Sequence, residues 1–87
     1  MEYVKNNLNF SLTTSWQLLF SIPANAEITI QNDDDSATIY IATDADDSKI
    51  IKILYPSDVW QRKRRKGYTL YIKSTVANAK YQASLYI

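Results

Sequence analysis

The chain consists of short runs of β-branched and aromatic residues that recur roughly every ten residues, separated by Asp, Asn, Ser and Pro clusters. This spacing is typical of strands joined by turns, and it suggests an antiparallel sandwich or barrel. It predicts strands at residues 13–22, 27–32, 37–43, 49–55, 59–63, 68–74 and 80–87. We therefore expect an all-β fold, a small antiparallel β-sandwich of about seven strands with an N-terminal arm.

Apolar and polar residues alternate within several runs, which is the period of a strand with one buried face. In residues 67–74, GYTLYIKS, the alternation places Leu70 and Ile72 on one face, with Tyr71 and Lys73 on the other. The residues predicted to face the core are Ile28, Ile30, Ile39, Ile41, Tyr68, Leu70, Ile72, Tyr81, Ala83, Leu85 and Ile87.

The 87 residues are expected to form one domain, because a chain this short cannot build two cores. Residues 13–87 hold the sandwich pattern. Residues 1–12 have weaker periodicity and are interpreted as an arm or an edge strand, which would donate strand edges or side chains such as Tyr3 and Phe10 to an adjacent subunit. The single glycine, Gly67, follows a basic run where a hairpin turn would favour it, so Asn and Asp must supply most left-handed turn positions.

Cysteine and histidine are both absent, which excludes disulfides, Ser-His and Cys-His nucleophiles and most zinc sites. The acidic turns at residues 33–35 and 44–47 are interpreted as solvated turns; a weak Ca²⁺ or Mg²⁺ site is the alternative. No pair of acids is placed as a glycosidase needs, so we expect no enzymatic activity and no cofactor. No signal-peptide pattern or run of transmembrane length is present, so no membrane partner is expected.

Five consecutive cations form the basic run Arg62, Lys63, Arg64, Arg65 and Lys66, which is flanked by Trp60 and Tyr68. Three interpretations remain open: contact with a polyanion or nucleic acid, contact with an acidic protein surface, and a solvated hairpin tip. Successive side chains of a strand point to opposite faces, so five consecutive cations in a strand could not all face one ligand.

Charge is divided between the two halves of the sequence. Residues 1–47 carry eight acids and one base, a net charge of −7, and residues 48–87 carry nine bases and one acid, a net charge of +8. Copies arranged head to tail would bring opposite charges together. Tyrosines predicted on outer strand faces, Tyr40, Tyr71 and Tyr86, would add contact area, because tyrosine is enriched at interfaces.

Residues 16–87 also resemble small β-sandwich proteins of tailed-bacteriophage virions. The matching features are an apolar strand ending in Gln31-Asn32, an acidic turn, the strand TIYIAT, the segment Leu54 to Pro56, and GYTLYIKS before a last apolar strand. Such sequences commonly place glycine in the acidic turn and after the proline, where this chain has Asp34 or Asp35 and Ser57, which predicts longer turns here.

The resemblance implies a non-enzymatic virion protein, such as a capsid decoration protein, a head-fibre base or a neck or tail accessory protein. We therefore expect localisation in the virion, many copies, and capsid or other virion proteins as partners. Two rival functions are a nucleic-acid-binding module using the basic run and a carbohydrate-binding module using Trp60 and tyrosines. The residues predicted to make contacts are Tyr3, Phe10, Trp60, Arg62, Lys63, Arg64, Arg65, Lys66, Tyr68, Tyr71 and Tyr86.

Overall fold

The computed structural model describes residues 3–86, with side chains described from residue 12 onward. These residues form an all-β sandwich of two antiparallel four-stranded sheets, which confirms the predicted fold class. The described strands are β1 (Tyr3–Leu12), β2 (Gln17–Ile22), β3 (Glu27–Asn32), β4 (Ile39–Ala42), β5 (Ile50–Leu54), β6 (Val59–Lys63), β7 (Tyr68–Ser74) and β8 (Ala79–Tyr86). A single 3-10 turn, Asp47–Lys49, precedes β5.

The strand order identifies the topology. Sheet 1 has the order β1-β8-β3-β6, and sheet 2 has the order β2-β7-β4-β5. Each connection therefore crosses from one sheet to the other, except that β4 and β5 form a hairpin within sheet 2. Eight strands arranged in this way form a jelly roll, a double-sheet fold used by viral capsid proteins, lectins and cupins.

The first described strand belongs to the sandwich itself. Strand β1 lies at the edge of sheet 1 and pairs with β8 of the same chain, from Tyr3 opposite Tyr86 to Leu12 opposite Ala79. The backbone of this segment therefore pairs within its own sheet as an edge strand. The side chains of Tyr3 and Phe10 lie outside the described part of the structure.

The core is formed by the predicted inward positions. The fully buried positions include Ile28, Ile30, Ile39, Ile41 and Leu70. Two more, Tyr81 and Leu85, are at most 5% exposed. Tyr68 is only partly buried and packs against the edge of this core; the predicted core residue Ile87 lies outside the described residues. Alternation alone therefore identified most of the inward faces.

A bulge in β2 changes which leucine is buried. Leu18 pairs with Tyr71 and Phe20 pairs with Leu70, so one extra residue, Leu19, lies between the two pairs. Leu19 and Phe20 are both buried, whereas Leu18 is 60% exposed on the outer face of sheet 2. The bulge thus directs one large apolar side chain to the surface, as bulges commonly do.

Three non-glycine residues adopt left-handed backbone angles: Asn25, Ser57 and Asn78, with φ of 65°, 71° and 60°. Both Asn residues were expected in such a role, since Asn tolerates this region well. Ser57 follows Pro56 in a four-residue turn closed by the Asp58 N–H, which donates to the Tyr55 carbonyl at 3.0 Å. The predicted lengthening of this turn was wrong, because Ser57 adopts the conformation that glycine would otherwise supply.

Replacing Ser57 with glycine should stabilise the protein by about 1 kcal/mol, because glycine adopts φ of 71° without the cost that a Cβ imposes. Urea unfolding measures the change as a shift of the midpoint at constant slope. Ser36→Gly, in an exposed turn without a left-handed angle, is the control and should not stabilise. Equal or lower stability of Ser57→Gly would contradict the assigned turn.

Candidate interaction surfaces

The two outer faces of the sandwich differ in polarity. Sheet 1 presents mainly polar side chains, such as Thr29, Gln31 and Gln82. Sheet 2 presents an aromatic and aliphatic surface, which we call the aromatic face and define as Trp16, Leu18, Tyr40, Ile53, Tyr71 and Lys73. Within it, Leu18 lies opposite Tyr71 across β2 and β7, and Tyr40 lies between Lys73 and Ile53.

The side chain of Lys73 joins distant parts of the aromatic face. Its Nζ lies 4.7 Å from the ring centroid of Trp16 and 5.7 Å from that of Tyr40, and it forms an ion pair with Asp47. The indole Nε1–H of Trp16 donates to the same Asp47 carboxylate at 2.9 Å. Cation–π contacts and a shared carboxylate therefore fix these side chains relative to one another, so the face has a defined shape.

The aromatic face is nearly neutral because its cation is paired. Lys73 is 19% exposed, and its partner Asp47 is 72% exposed on the loop between β4 and β5. Hydrogen bonds from Lys73 and then from Trp16 lower the pKa of Asp47, with the Lys73 charge acting in the same direction. Asp47 is therefore ionised at neutral pH, and its negative charge offsets the positive charge of Lys73.

Acidification should destabilise the protein through Asp47. A carboxylate with a lowered folded-state pKa contributes stability above its unfolded pKa, about 3.9, and loses that contribution as pH falls through the folded value. The stability curve should therefore fall below about pH 4, and Asp47→Asn should make the fall shallower. Urea midpoints measured across this pH range test the expectation. It would be contradicted if the stability of Asp47→Asn fell as steeply with decreasing pH as that of the wild type.

The basic run does not form a hairpin. Strand β6 belongs to sheet 1 and β7 belongs to sheet 2, so residues 64–67 cross between the sheets at one end of the sandwich. The predicted hairpin tip was therefore wrong. Gly67 has no left-handed angle either; a Cβ at this position would lie 3.0 Å from the carbonyl oxygen of Ile22, so the glycine permits close backbone approach.

The five cations divide into two groups. Trp60 and Arg62 lie opposite Ile30 and Ile28 on the core side of β6, and the Arg62 guanidinium carbon is 5.9 Å from the Trp60 ring centroid. The guanidinium carbon of Arg64 is 5.0 Å from the ring centroid of Tyr68. Both arginines are partly buried, whereas the remaining cations of the run, Lys63, Arg65 and Lys66, are exposed.

Tyr68 has a buried hydroxyl without a hydrogen-bond partner among the described atoms. Burial raises the pKa of this phenol, and the charges of Arg62 and Arg64 oppose the rise. Trp60 and Tyr68 are thus partly buried rings that each carry an arginine, not open stacking platforms. Stacking of bases or sugars on these two rings stays a prediction.

The remaining predicted contact residues are separated in space. Tyr71 lies on the aromatic face of sheet 2, whereas Tyr86 lies opposite Glu27 on the outer face of sheet 1. Both are partly exposed, but they cannot act on one partner surface together. The predicted contact residues did not include four members of the aromatic face: Trp16, Leu18, Ile53 and Lys73.

Carboxylates in the acidic turns accept hydrogen bonds from backbone N–H groups of their own turns and, for Asp34, of strand β8. Asp34 accepts from the backbone N–H groups of Ser36, Ala37 and Lys80 at 3.0 to 3.1 Å, and these bonds lower its pKa. Asp46 accepts from the Ser48 N–H at 2.9 Å, which likewise lowers the pKa of Asp46. Within the described residues, no group of three or more acids is positioned to hold a metal ion. The same residues include no helix long and apolar enough to cross a membrane.

Comparisons with known proteins support the fold only. No family model and no curated protein matches the sequence. The chain is similar in structure to PliG of Aeromonas hydrophila, a periplasmic inhibitor of g-type lysozyme, with a TM-score of 0.60 and 13% identity over 98% of this chain and 86% of that chain. It is also similar to a de novo designed double-stranded β-helix, with a TM-score of 0.56 and 6% identity over 95% of this chain and 97% of that chain. Neither structure is a phage virion protein.

Proposed function

We propose that this chain is a non-enzymatic virion structural protein that docks in multiple copies onto capsid, neck or tail neighbours. The observation that carries the proposal is the aromatic face of sheet 2. Leu18 is 60% exposed and Ile53 is 37% exposed, beside the partly exposed Tyr40 and Tyr71. Contiguous exposed apolar side chains on a soluble domain usually mark a contact surface.

The chemistry of the aromatic face suits a protein partner. Tyrosine and tryptophan are enriched in protein interfaces, and charged side chains are depleted at interface centres. Here the one central cation, Lys73, is neutralised by Asp47 and covered by two rings. A partner would therefore bury apolar area without having to desolvate an unpaired charge.

The topology gives this proposal a favourable context. Jelly rolls are used by viral capsid proteins, although the same fold also serves lectins and cupins. Cupin-type metal chemistry has little support, since the chain has no histidine. The sequence resemblance to tailed-phage virion proteins points to the same class of function as the exposed face.

The rival functions have weaker support. A nucleic-acid module would use Trp60 and Tyr68 for base stacking, but Arg62 and Arg64 lie against these rings. A carbohydrate-binding module based on Trp60 meets the same obstacle, because Trp60 lies on the core side of β6. Neither rival explains the exposure of Leu18 at the bulge.

Quantitative mass spectrometry of purified virus particles tests the proposed function. Tryptic peptides of this chain, measured against isotope-labelled standards, should give several copies per particle in a fixed ratio to the major capsid protein. The same peptides should stay with the particles through density-gradient centrifugation at high salt, because apolar contacts are not screened. Absence of the chain from purified particles would contradict the proposal.

A further inference from the structure

Two groups of charged side chains lie at opposite ends of the described sandwich. Strands β3 and β6 are antiparallel, with Glu27 opposite Lys63 and Gln31 opposite Val59. The basic run therefore lies beyond one end of this strand pair, and the acidic turn that follows Asn32 lies beyond the other. At the rise of a strand, the six residues of β3 separate the two turns by roughly 17 Å.

The two ends carry opposite net charge. We call Arg62 to Lys66 the basic end; among described residues, Glu27 is the acid paired with this end in the strand register. We call Asp33, Asp34, Asp35 and Asp58 the acidic end. Backbone hydrogen bonds place Asp58 beside Asn32, and Lys80 beside Asp33 and Asp34. The β4–β5 loop leaves sheet 2 toward the basic end, because β4 runs antiparallel to β7. It adds Asp44, Asp46 and Lys49 to that end, while its Asp47 is paired with Lys73. Six cations thus accompany three acids at the basic end, and four acids accompany one base at the acidic end.

In the part of the chain whose side chains are described, the cations of the basic end have no carboxylate within ion-pair distance. The ion pair seen there joins Lys73 to Asp47, on the aromatic face. Asp44 and Asp46 accept hydrogen bonds from backbone N–H groups of their own turn, and Asp34 accepts from those of Ser36, Ala37 and Lys80. Within the described residues, the charge of the basic end is therefore concentrated and forms no ion pair with a carboxylate.

Both ends are held in place before any partner arrives. At the basic end, the Asn25 N–H donates to the Arg64 carbonyl at 2.9 Å, and aromatic rings hold Arg62 and Arg64. At the acidic end, Asp34 ties residues 36, 37 and 80 together. A contact between such fixed ends loses little conformational entropy on forming.

We propose that copies of this protein associate head to tail, with the basic end of one copy docking on the acidic end of the next. This inference rests on the proposed multi-copy function and names a contact between copies. Charge complementarity selects the partner: the opposite end of the same sandwich carries nearly matching charge, whereas nucleic-acid-binding domains are usually strongly basic overall. This chain has a net charge of only +1. Because the contact joins two different surfaces, it produces rings or open chains.

Two charge-reversed variants test the contact. The first replaces the exposed cations (Lys63→Glu, Arg65→Glu, Lys66→Glu) and thereby makes both ends acidic. The second replaces exposed acids (Asp33→Lys, Asp35→Lys) and makes both ends basic. Circular dichroism and thermal unfolding establish that each variant is folded, as expected for exposed positions.

Sedimentation velocity at low ionic strength is the readout, because charge contacts are screened as salt is added. The wild type should form larger species with rising concentration, and high salt should dissociate them. Each variant alone should associate at least about tenfold more weakly, because like charges then meet. An equimolar mixture of the two variants should recover association as alternating copies.

Two outcomes would overturn the proposal. In the first, either variant alone associates as strongly as the wild type, or the mixture associates no more strongly than each variant alone. The other is a wild type that remains monomeric but binds a single-stranded oligonucleotide, with binding lost in the first variant, which would assign the basic end to polyanions. If both charge variants fail to associate as proposed but still bind to particles, the head-to-tail contact is ruled out and the proposed virion function stands.

Discussion

Replacing Asn32 with leucine should destabilise the protein by about 4 kcal/mol, because one side chain satisfies three backbone groups at a fully buried position. Its Nδ2 donates to the carbonyls of Ala37 at 2.8 Å and Leu54 at 3.0 Å, and its Oδ1 accepts from the Asp34 N–H at 2.9 Å. Leucine has a similar volume but leaves these groups without a partner, and each such group costs about 1 to 3 kcal/mol.

Urea unfolding of Asn32→Leu measures this loss, which is a large part of the total for a domain of this size. Gln31→Leu is the matched control: it introduces the same residue one position earlier, where the side chain is partly exposed and faces outward on the same strand. The control should change stability by less than about 0.5 kcal/mol. A loss below about 1 kcal/mol in Asn32→Leu would contradict the three hydrogen bonds assigned to Asn32.

Replacing Ile30 with alanine should cost about 3.5 kcal/mol, since Ile30 is fully buried on β3 between two neighbouring strands. The same substitution at Ile53, which is 37% exposed on the edge strand β5, should cost less than about 1 kcal/mol. Ile53→Ala should instead weaken attachment to a partner. Thermal and urea unfolding of both variants separate the core role from the surface role; equal losses at the two positions would contradict this assignment.

The sequence predicted the strands well because burial leaves a period-two pattern in each one. The bounds of β3, β6 and β7 agree with the predicted ranges, and β2 is shorter than expected only at its start. Which strands pair with each other was harder to predict. The segment from Trp60 to Tyr68 has the local pattern of a hairpin, but Trp60 and Tyr68 pack at the edge of the core from different sheets. Nothing within that segment distinguishes the two arrangements.

The aromatic face was only partly predictable. Tyr40 and Tyr71 were expected on outer faces because they alternate with buried neighbours. Asp47, however, lies 31 positions from Trp16 and 26 positions from Lys73 along the chain. No local sequence pattern indicates contacts between residues so far apart. The bulge that exposes Leu18 was also missed, because Leu18 and Leu19 are equally apolar in the sequence.

The most direct test of the account compares attachment to virus particles for variants of the two outer faces. Leu18→Ser with Tyr71→Ser alters the aromatic face of sheet 2, and Thr29→Ser with Gln82→Ser alters the polar face of sheet 1. Each purified variant is incubated with particles that lack the chain, and the bound copies are counted by mass spectrometry. We expect that the aromatic-face variant does not bind the particles, whereas the polar-face variant binds like the wild type. Wild-type binding of the aromatic-face variant would contradict it.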